Sequence, residues 1–167
     1  MSEFEPAFEL LMELEGVHSN DENDAGGETK FGVTSQIYDG DIAALTLDQA
    51  KGIWRSKWNQ FEFYKIENQK LANSLFQLSA VMGPKQAALI FQRALNTMGG
   101  DLKEDGVVGD KTRAALPNEP YPFLYVVAAH AEGFFRLITH VPSLTRVMQY
   151  EKNQTFLKGW IKRARCA

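Results

Sequence analysis

The chain has a single cysteine, no apolar run long enough to cross a bilayer and no surplus of positive charge. Each absence removes a class of protein. Cys166 stands beside the C-terminus without a partner, so no internal disulfide can form, and that setting makes it a poor catalytic nucleophile. Lys and Arg number 18 against 21 Asp and Glu, a formal net charge of -3, which argues against nucleic acid as the main ligand. The opening MSEFEPAFELL carries Glu3, Glu5 and Glu9 and no basic region, unlike a secretory signal. With the lone cysteine this sets the expectation of a chain made and folded in a cytoplasm. No His, Cys or carboxylate spacing resembles a zinc site. Asp21, Asn23 and Asp24 lack the EF-hand spacing and its closing glutamate, and the phosphate-loop spacing is absent, so neither metal nor organic cofactor is expected.

What is present is the composition of an ordinary globular protein, 167 residues and 44% hydrophobic, enough for a sizeable core in one domain or in two small lobes sharing an interface. Its periodicity is mostly helical. Phe4, Phe8, Leu11 and Met12 form one stripe, with Ser2 and Glu5 as a capping-box start. Glu5, Glu9 and Glu13 follow a separate, solvated ridge. Thr46 and Gln49 form a second capping box, opening a helix through Ala50, Ile53, Trp54, Lys57 and Trp58. Leu71, Leu75, Leu78 and Met82 mark a buried helix stopped by Gly83-Pro84. Ala87, Phe91, Ala94, Leu95 and Met98 should face inward on the next, which Gly99-Gly100 ends. Asp110 is placed to cap a further helix, and Pro117, Pro120 and Pro122 make a stiff connection into an apolar helix through Val126, Val127, Ala131, Phe134, Phe135 and Ile138. His130 and His140 on that helix read as structural residues.

Chemistry concentrates in residues 15–34, EGVHSNDENDAGGETKFGVT. Glu15 continues the apolar stripe at i+4 from Leu11, so it alone of the four helix carboxylates points at the core. Desolvation raises the pKa of such a group, which is how a general acid stays protonated near neutral pH. The polar segment from Ser19 to Glu28, with Gly26-Gly27, has the composition of a turn needing positive φ. Thr29, Phe31 and Val33 alternate with Lys30 and Gly32 as a short strand, half of a small hairpin, and Thr34 or Ser35 would cap the next helix. From residue types alone Asp24 is equally an Asx-turn residue, Thr29 a plain strand residue and Glu15 a helix-end carboxylate turned to water. Trp54 reads as core. Trp58 stays open between core and sugar-stacking roles, since indole can keep one wet edge.

This segment resembles the signature of the glycoside hydrolase 108 family of N-acetylmuramidases, lysozyme-like proteins found among phage endolysins. Glu15, Gly16, Asn20, Asp21, Asp24, Gly26, Gly27, Thr29, Gly32 and Thr34 stand in step with its pattern without gaps. The chain departs at Val17, where the family has glycine, at His18 for an aromatic and at Glu22 for proline. Lys57-Trp58 half preserves an aromatic-Trp pair. Residues 92–116 resemble the peptidoglycan-binding region that follows in that family, through Asp105, Gly106, Gly109, Lys111 and Thr112, and the tail FLKGWIKRAR resembles its end.

The resemblance implies a mainly α, lysozyme-like helical fold with a small β-hairpin beside the cleft. It implies a catalytic lobe at 1–82 and a helical peptidoglycan-binding-like lobe at 83–167 packed on it. Its substrate would be the β-1,4 bond between N-acetylmuramic acid and N-acetylglucosamine in peptidoglycan, with Glu15, Asp24 and Thr29 catalytic and His18, Asn20 and Trp58 contacting substrate. A non-catalytic peptidoglycan binder and a lytic transglycosylase stand as alternatives. A monomeric phage endolysin, waiting in the host cytoplasm without a signal peptide and acting on the wall after release, is the expected biology. The basic residues Lys152, Lys158, Lys162, Arg163 and Arg165 read either as a solvated face or as a weak contact for membrane or anionic envelope polymers.

Overall fold

The computed structural model describes residues 1–14, 18–19, 29–35, 37–140, 156–162 and 164–165. Its centre is helix α3 (Gln69–Met82), which buries Leu71, Ala72, Ser74, Leu75, Phe76, Gln77 and Leu78. A helix buried nearly all round has to be covered on several sides. Helices α1 (Phe4–Leu14), α4 (Pro84–Thr97) and α6 (Pro120–His140) pack on it, with α2 (Leu47–Gln60) against α1. Helix α1 contributes Phe4, Ala7, Phe8 and Leu11, while Glu5, Glu9 and Glu13 are exposed as the sequence requires.

The polar signals set the ends of these helices. Thr46 and Gln49 make a reciprocal capping box at α2, the Gln49 side chain accepting from Thr46 N–H at 2.9 Å and Thr46 Oγ1 from Gln49 N–H at 3.3 Å. Asn68 Oδ1 accepts from the N–H groups of Lys70 and Leu71 at the start of α3. Gly83, at φ +82°, ends α3, and Pro84 at once opens α4. The two helices therefore join without a linker and pack on one another.

Several sequence expectations are corrected. Helix α1 begins at Phe4, so Ser2 is not its cap. Ser2 Oγ instead donates to the Phe63 carbonyl at 3.0 Å, and Ser2 N–H bonds the carbonyls of Tyr64 and Ile66, tying the N-terminus to a 3₁₀ turn at Phe63–Lys65. Among the described residues no helix follows Thr34, whose carbonyl accepts from the N–H groups of Ile37 and Tyr38; the next helix waits for Thr46. Gly109, not Asp110, is the cap of α5 (Asp110–Ala114), because Asp110 already lies inside the helix and its carboxylate bonds Arg113 at 2.6 Å. Met98 does not face inward, being the C-cap of α4 and about half exposed. Pro120 opens α6 rather than preceding it, and the buried stripe there is Phe123, Val127, Ala131, Phe135 and Thr139.

The loop from α4 to α5 has little apolar content and is held by two amides. Gln92, almost wholly buried, donates through Nε2 to Asp105 Oδ1 at 2.9 Å and to the Val107 carbonyl at 3.0 Å, while its Oε1 accepts from Gly106 N–H at 2.9 Å. Asn96 pairs both backbone groups of Leu102 in the same way, at 2.8 and 2.9 Å. Gly106 sits at φ +75°, and a Cβ there would lie 2.7 Å from Lys85 Cγ and 3.0 Å from the Lys85 carbonyl oxygen. Glycine is required there both by conformation and by close approach. Gln92→Ala should destabilise the protein by ~1–2 kcal/mol, since it removes three part-buried hydrogen bonds at once. Chemical denaturation measures this, and wild-type stability in the variant would show that the loop is held by other contacts.

Residues 156–162 and 164–165 are helical and dock on α6. Trp160 lies 5.3 Å from the Phe135 ring, and Ala164 is buried. Arg165 donates twice to Glu132 Oε2, at 3.1 and 2.8 Å, while Arg136 holds the other carboxylate oxygen. Of the described basic tail residues Lys158, Lys162 and Arg165, the last is thus engaged within the fold. Hydrogen bonds from Arg136 and Arg165 hold the Glu132 carboxyl below its ordinary value of 4.5. A depressed carboxylate contributes its stabilisation above the unfolded value and loses it as pH falls through the folded one. Tail docking, followed by tryptophan emission, should therefore be complete at neutral pH and weaken below about pH 4.5, and Glu132→Gln should remove that pH dependence.

Candidate active site

The sheet that borders the chemistry-bearing stretch is small and fully specified. Strands β1 (His18–Ser19), β2 (Thr29–Lys30) and β3 (Val33–Thr34) run in the order β1-β2-β3, both pairs antiparallel. The register sets His18 opposite Lys30, Ser19 opposite Thr29 and Thr29 opposite Thr34. The expected single strand from Thr29 to Val33 is therefore two strands folded back on a two-residue turn. Phe31 and Gly32 form that turn with φ of +53° and +74°. Positive φ at both central positions is the hairpin turn whose twist matches the flanking strands. Glycine accepts it freely, but phenylalanine does so at a cost and needs support from its surroundings.

Trp54 supplies the support. Its indole N–H donates to the Phe31 carbonyl at 2.9 Å, across 23 residues of sequence. The indole is itself wedged edge-on against Phe76 at 5.6 Å and is 5% exposed, as the core reading requires. Lys30 adds a second tie, its Nζ donating to the Ala43 carbonyl at 2.6 Å and lying 5.6 Å from the Phe31 ring centroid. Asp41 in turn accepts from the N–H groups of Ala43 and Ala44, which fixes the segment that receives Lys30. The hairpin is thereby clamped to α2 on one side and to the turn before α2 on the other.

Of the residues singled out in the sequence, Thr29 lies half-buried at the centre of this sheet. His18 is placed by its backbone, paired with Lys30. Glu15, Asn20, Asp24 and the His18 side chain lie outside the described residues, as does the expected groove geometry around Glu15. The pairing of Ser19 with Thr29 nevertheless brings the two ends of the segment 20–28 together at strand spacing. Trp58 is corrected. It is 2% exposed, with Phe4, Phe63 and Phe76 around it at 6.0, 5.6 and 5.4 Å, so it is core and offers no face to a sugar. Sequence reasoning missed Trp54 and Lys30 as hairpin clamps. The bulky residue before Gly32 in a two-residue turn was the available signal.

Several helices around α3 and a three-stranded hairpin sheet define a mainly α, lysozyme-like protein. The solved structure of SagA from Brucella abortus has the same fold, with a TM-score of 0.72 and 22% identity over 97% of this chain and 91% of that one. Residues 8–83 match the family model Glycosyl hydrolase 108, and residues 86–165 match the model described as a Predicted Peptidoglycan domain. Over residues 8–83 the chain is similar to the glycosyl hydrolase 108 family. No curated protein matches it significantly. The two matches support a peptidoglycan hydrolase or binder, with peptidoglycan as its partner.

Trp54→Phe keeps the ring and deletes the N–H, leaving the Phe31 carbonyl without its donor. A loss of ~1–2 kcal/mol is expected, together with lowered turnover on peptidoglycan if the hairpin positions catalytic groups. Unchanged melting would show that the turn holds itself.

Proposed function

We propose that the chain is an N-acetylmuramidase that hydrolyses the β-1,4 bond between N-acetylmuramic acid and N-acetylglucosamine. The observation that carries the proposal is the clamped hairpin. It holds Thr29 opposite Ser19, at the two ends of the stretch that contains Asp24, and is tied to the core through Trp54. The match of residues 8–83 to a glycoside hydrolase family supports the same reading.

In this mechanism Glu15 is the general acid. It gives its proton to the glycosidic oxygen as the bond from that oxygen to the anomeric carbon breaks, and the departing sugar leaves with a neutral hydroxyl. Asp24, ionised, faces the oxocarbenium-like charge or draws a proton from the attacking water, and Thr29 orients that water. A carboxyl separation of about 5–5.5 Å gives retention, and one of about 6.5–9.5 Å leaves room for water and gives inversion. His18 and Asn20 contact the sugars flanking the bond. Residues 1–82 form the catalytic lobe and 83–167 the lobe that holds the wall. A monomeric phage endolysin, made in the host cytoplasm and released to the wall, fits this division of labour. Nucleic acid plays no part, and the exposed basic residues of the tail make a weak contact with anionic envelope polymers.

The test is turbidity loss of purified, outer-membrane-stripped sacculi, with mass analysis of the fragments. Wild type should clear the suspension, and Glu15→Gln should slow clearing by roughly 10²–10⁴ while remaining folded. Fragments should end in reducing N-acetylmuramic acid. Ends in 1,6-anhydromuramic acid would identify a transglycosylase, and binding without clearing would identify a non-catalytic binder.

A further inference from the structure

We infer that the first turns of α6 and the recess beside them form a glycan-binding platform, separate from the hairpin site, that grips the sugar chain of peptidoglycan. The inference rests on peptidoglycan being the ligand. Its starting point is an anomaly of exposure. Tyr121 and Tyr125 lie one helical turn apart and are 52% and 75% exposed, the two exposed aromatic side chains among the described residues. They project away from Phe123 and Val127, which anchor α6 in the core, so packing of the helix does not account for them.

Tyr121 is also held in place. The Lys70 ammonium, from the start of α3, lies 4.1 Å from its ring centroid and hydrogen-bonds its hydroxyl. A ring fixed in this way loses little freedom on binding. Next to the pair, a recess of about 300 Å³ opens between the start of α3 and the segment entering α6. Asn68 and Asn118 line it, and Asn68 Nδ2 donates to the Asn118 carbonyl at 3.2 Å, joining the two walls. Lys65, Glu67, Asp110 and Arg113 are in its lining as well, with Arg113 paired to Asp110 at 2.6 Å and Lys65 to Glu62 at 2.7 Å. The volume is at the small end of ligand pockets, of the size of one substituted sugar.

Aromatic faces suit the apolar C–H faces of pyranose rings. The amides of Asn68 and Asn118 beside them suit the acetamido groups of the amino sugars. A protein helix would need the apolar stripe to continue along α6. One and two turns beyond Tyr125 on this face, however, stand Ala129, Glu132 and Gly133. The platform falls in the part of the chain that matches the Predicted Peptidoglycan domain, apart from the residues that α3 and the segment before it lend.

The test uses full-length Glu15→Gln protein, so that the matrix is not consumed, in cosedimentation with purified sacculi. Adding Tyr121→Ser and Tyr125→Ser together should weaken binding by about tenfold, while the matching pair of Phe substitutions, which keeps both rings, should stay within about twofold. Tyr125→Ser alone, at the more exposed position, should give a measurable part of the loss with unchanged melting. Parent-like binding by the double Ser variant overturns the platform and leaves the hydrolase reading intact. A loss as large with Phe as with Ser overturns stacking as its basis. Altered self-association with unaltered sacculus binding reassigns the face to a second copy of the chain. If the parent does not bind sacculi while wild type still clears them, the platform falls alone; if wild type neither binds nor clears, both readings fall.

Discussion

The rest of the structure depends on the burial of Phe76. Its ring meets Phe4, Trp54, Trp58 and Phe63 at centroid distances between 5.4 and 6.2 Å, all four edge to face. Residues from α1, α2 and the 3₁₀ turn are drawn onto one side chain of α3. Aromatic pairs in this geometry add to their area burial because the positive ring edge meets the negative face. Three otherwise separate elements thereby acquire one fixed relation to the central helix.

That cluster reaches the hairpin through a single polar atom. Trp54 is apolar enough to pack on Phe76 and still carries an N–H, which it directs to the carbonyl of a residue with unfavourable φ. The hairpin has only two residues in each strand and would not persist by its own ladder. Its rigidity is borrowed from the core. The strand pairing fixes both ends of the polar stretch between β1 and β2.

The second half of the chain solves a similar problem by other means. Gln92 and Asn96 face a loop with few apolar side chains, and their amides satisfy backbone groups that would otherwise be stranded. The direct join of α3 to α4 at Gly83-Pro84 makes the two family-matched regions share packed helices rather than a linker.

The sequence by itself determined the helices and most of their ends. The i, i+4 repeats of Leu71, Leu75 and Leu78, the Thr46–Gln49 box and Gly83-Pro84 are local signals, and each acts within one turn of where it is read. The chemistry-bearing stretch was legible for the same reason, as a contiguous pattern. Ser2 and Trp58 were decided by tertiary structure. A hydroxyl can cap its own helix or bond a carbonyl 61 residues away, and only the fold brings Phe63 to Ser2. An indole at helical spacing can face a cleft or a core, and the choice for Trp58 was made by the position of Phe76 on another helix. The clamp from Trp54 to Phe31 was hidden likewise, because its two partners become neighbours only when α2 packs beneath the hairpin.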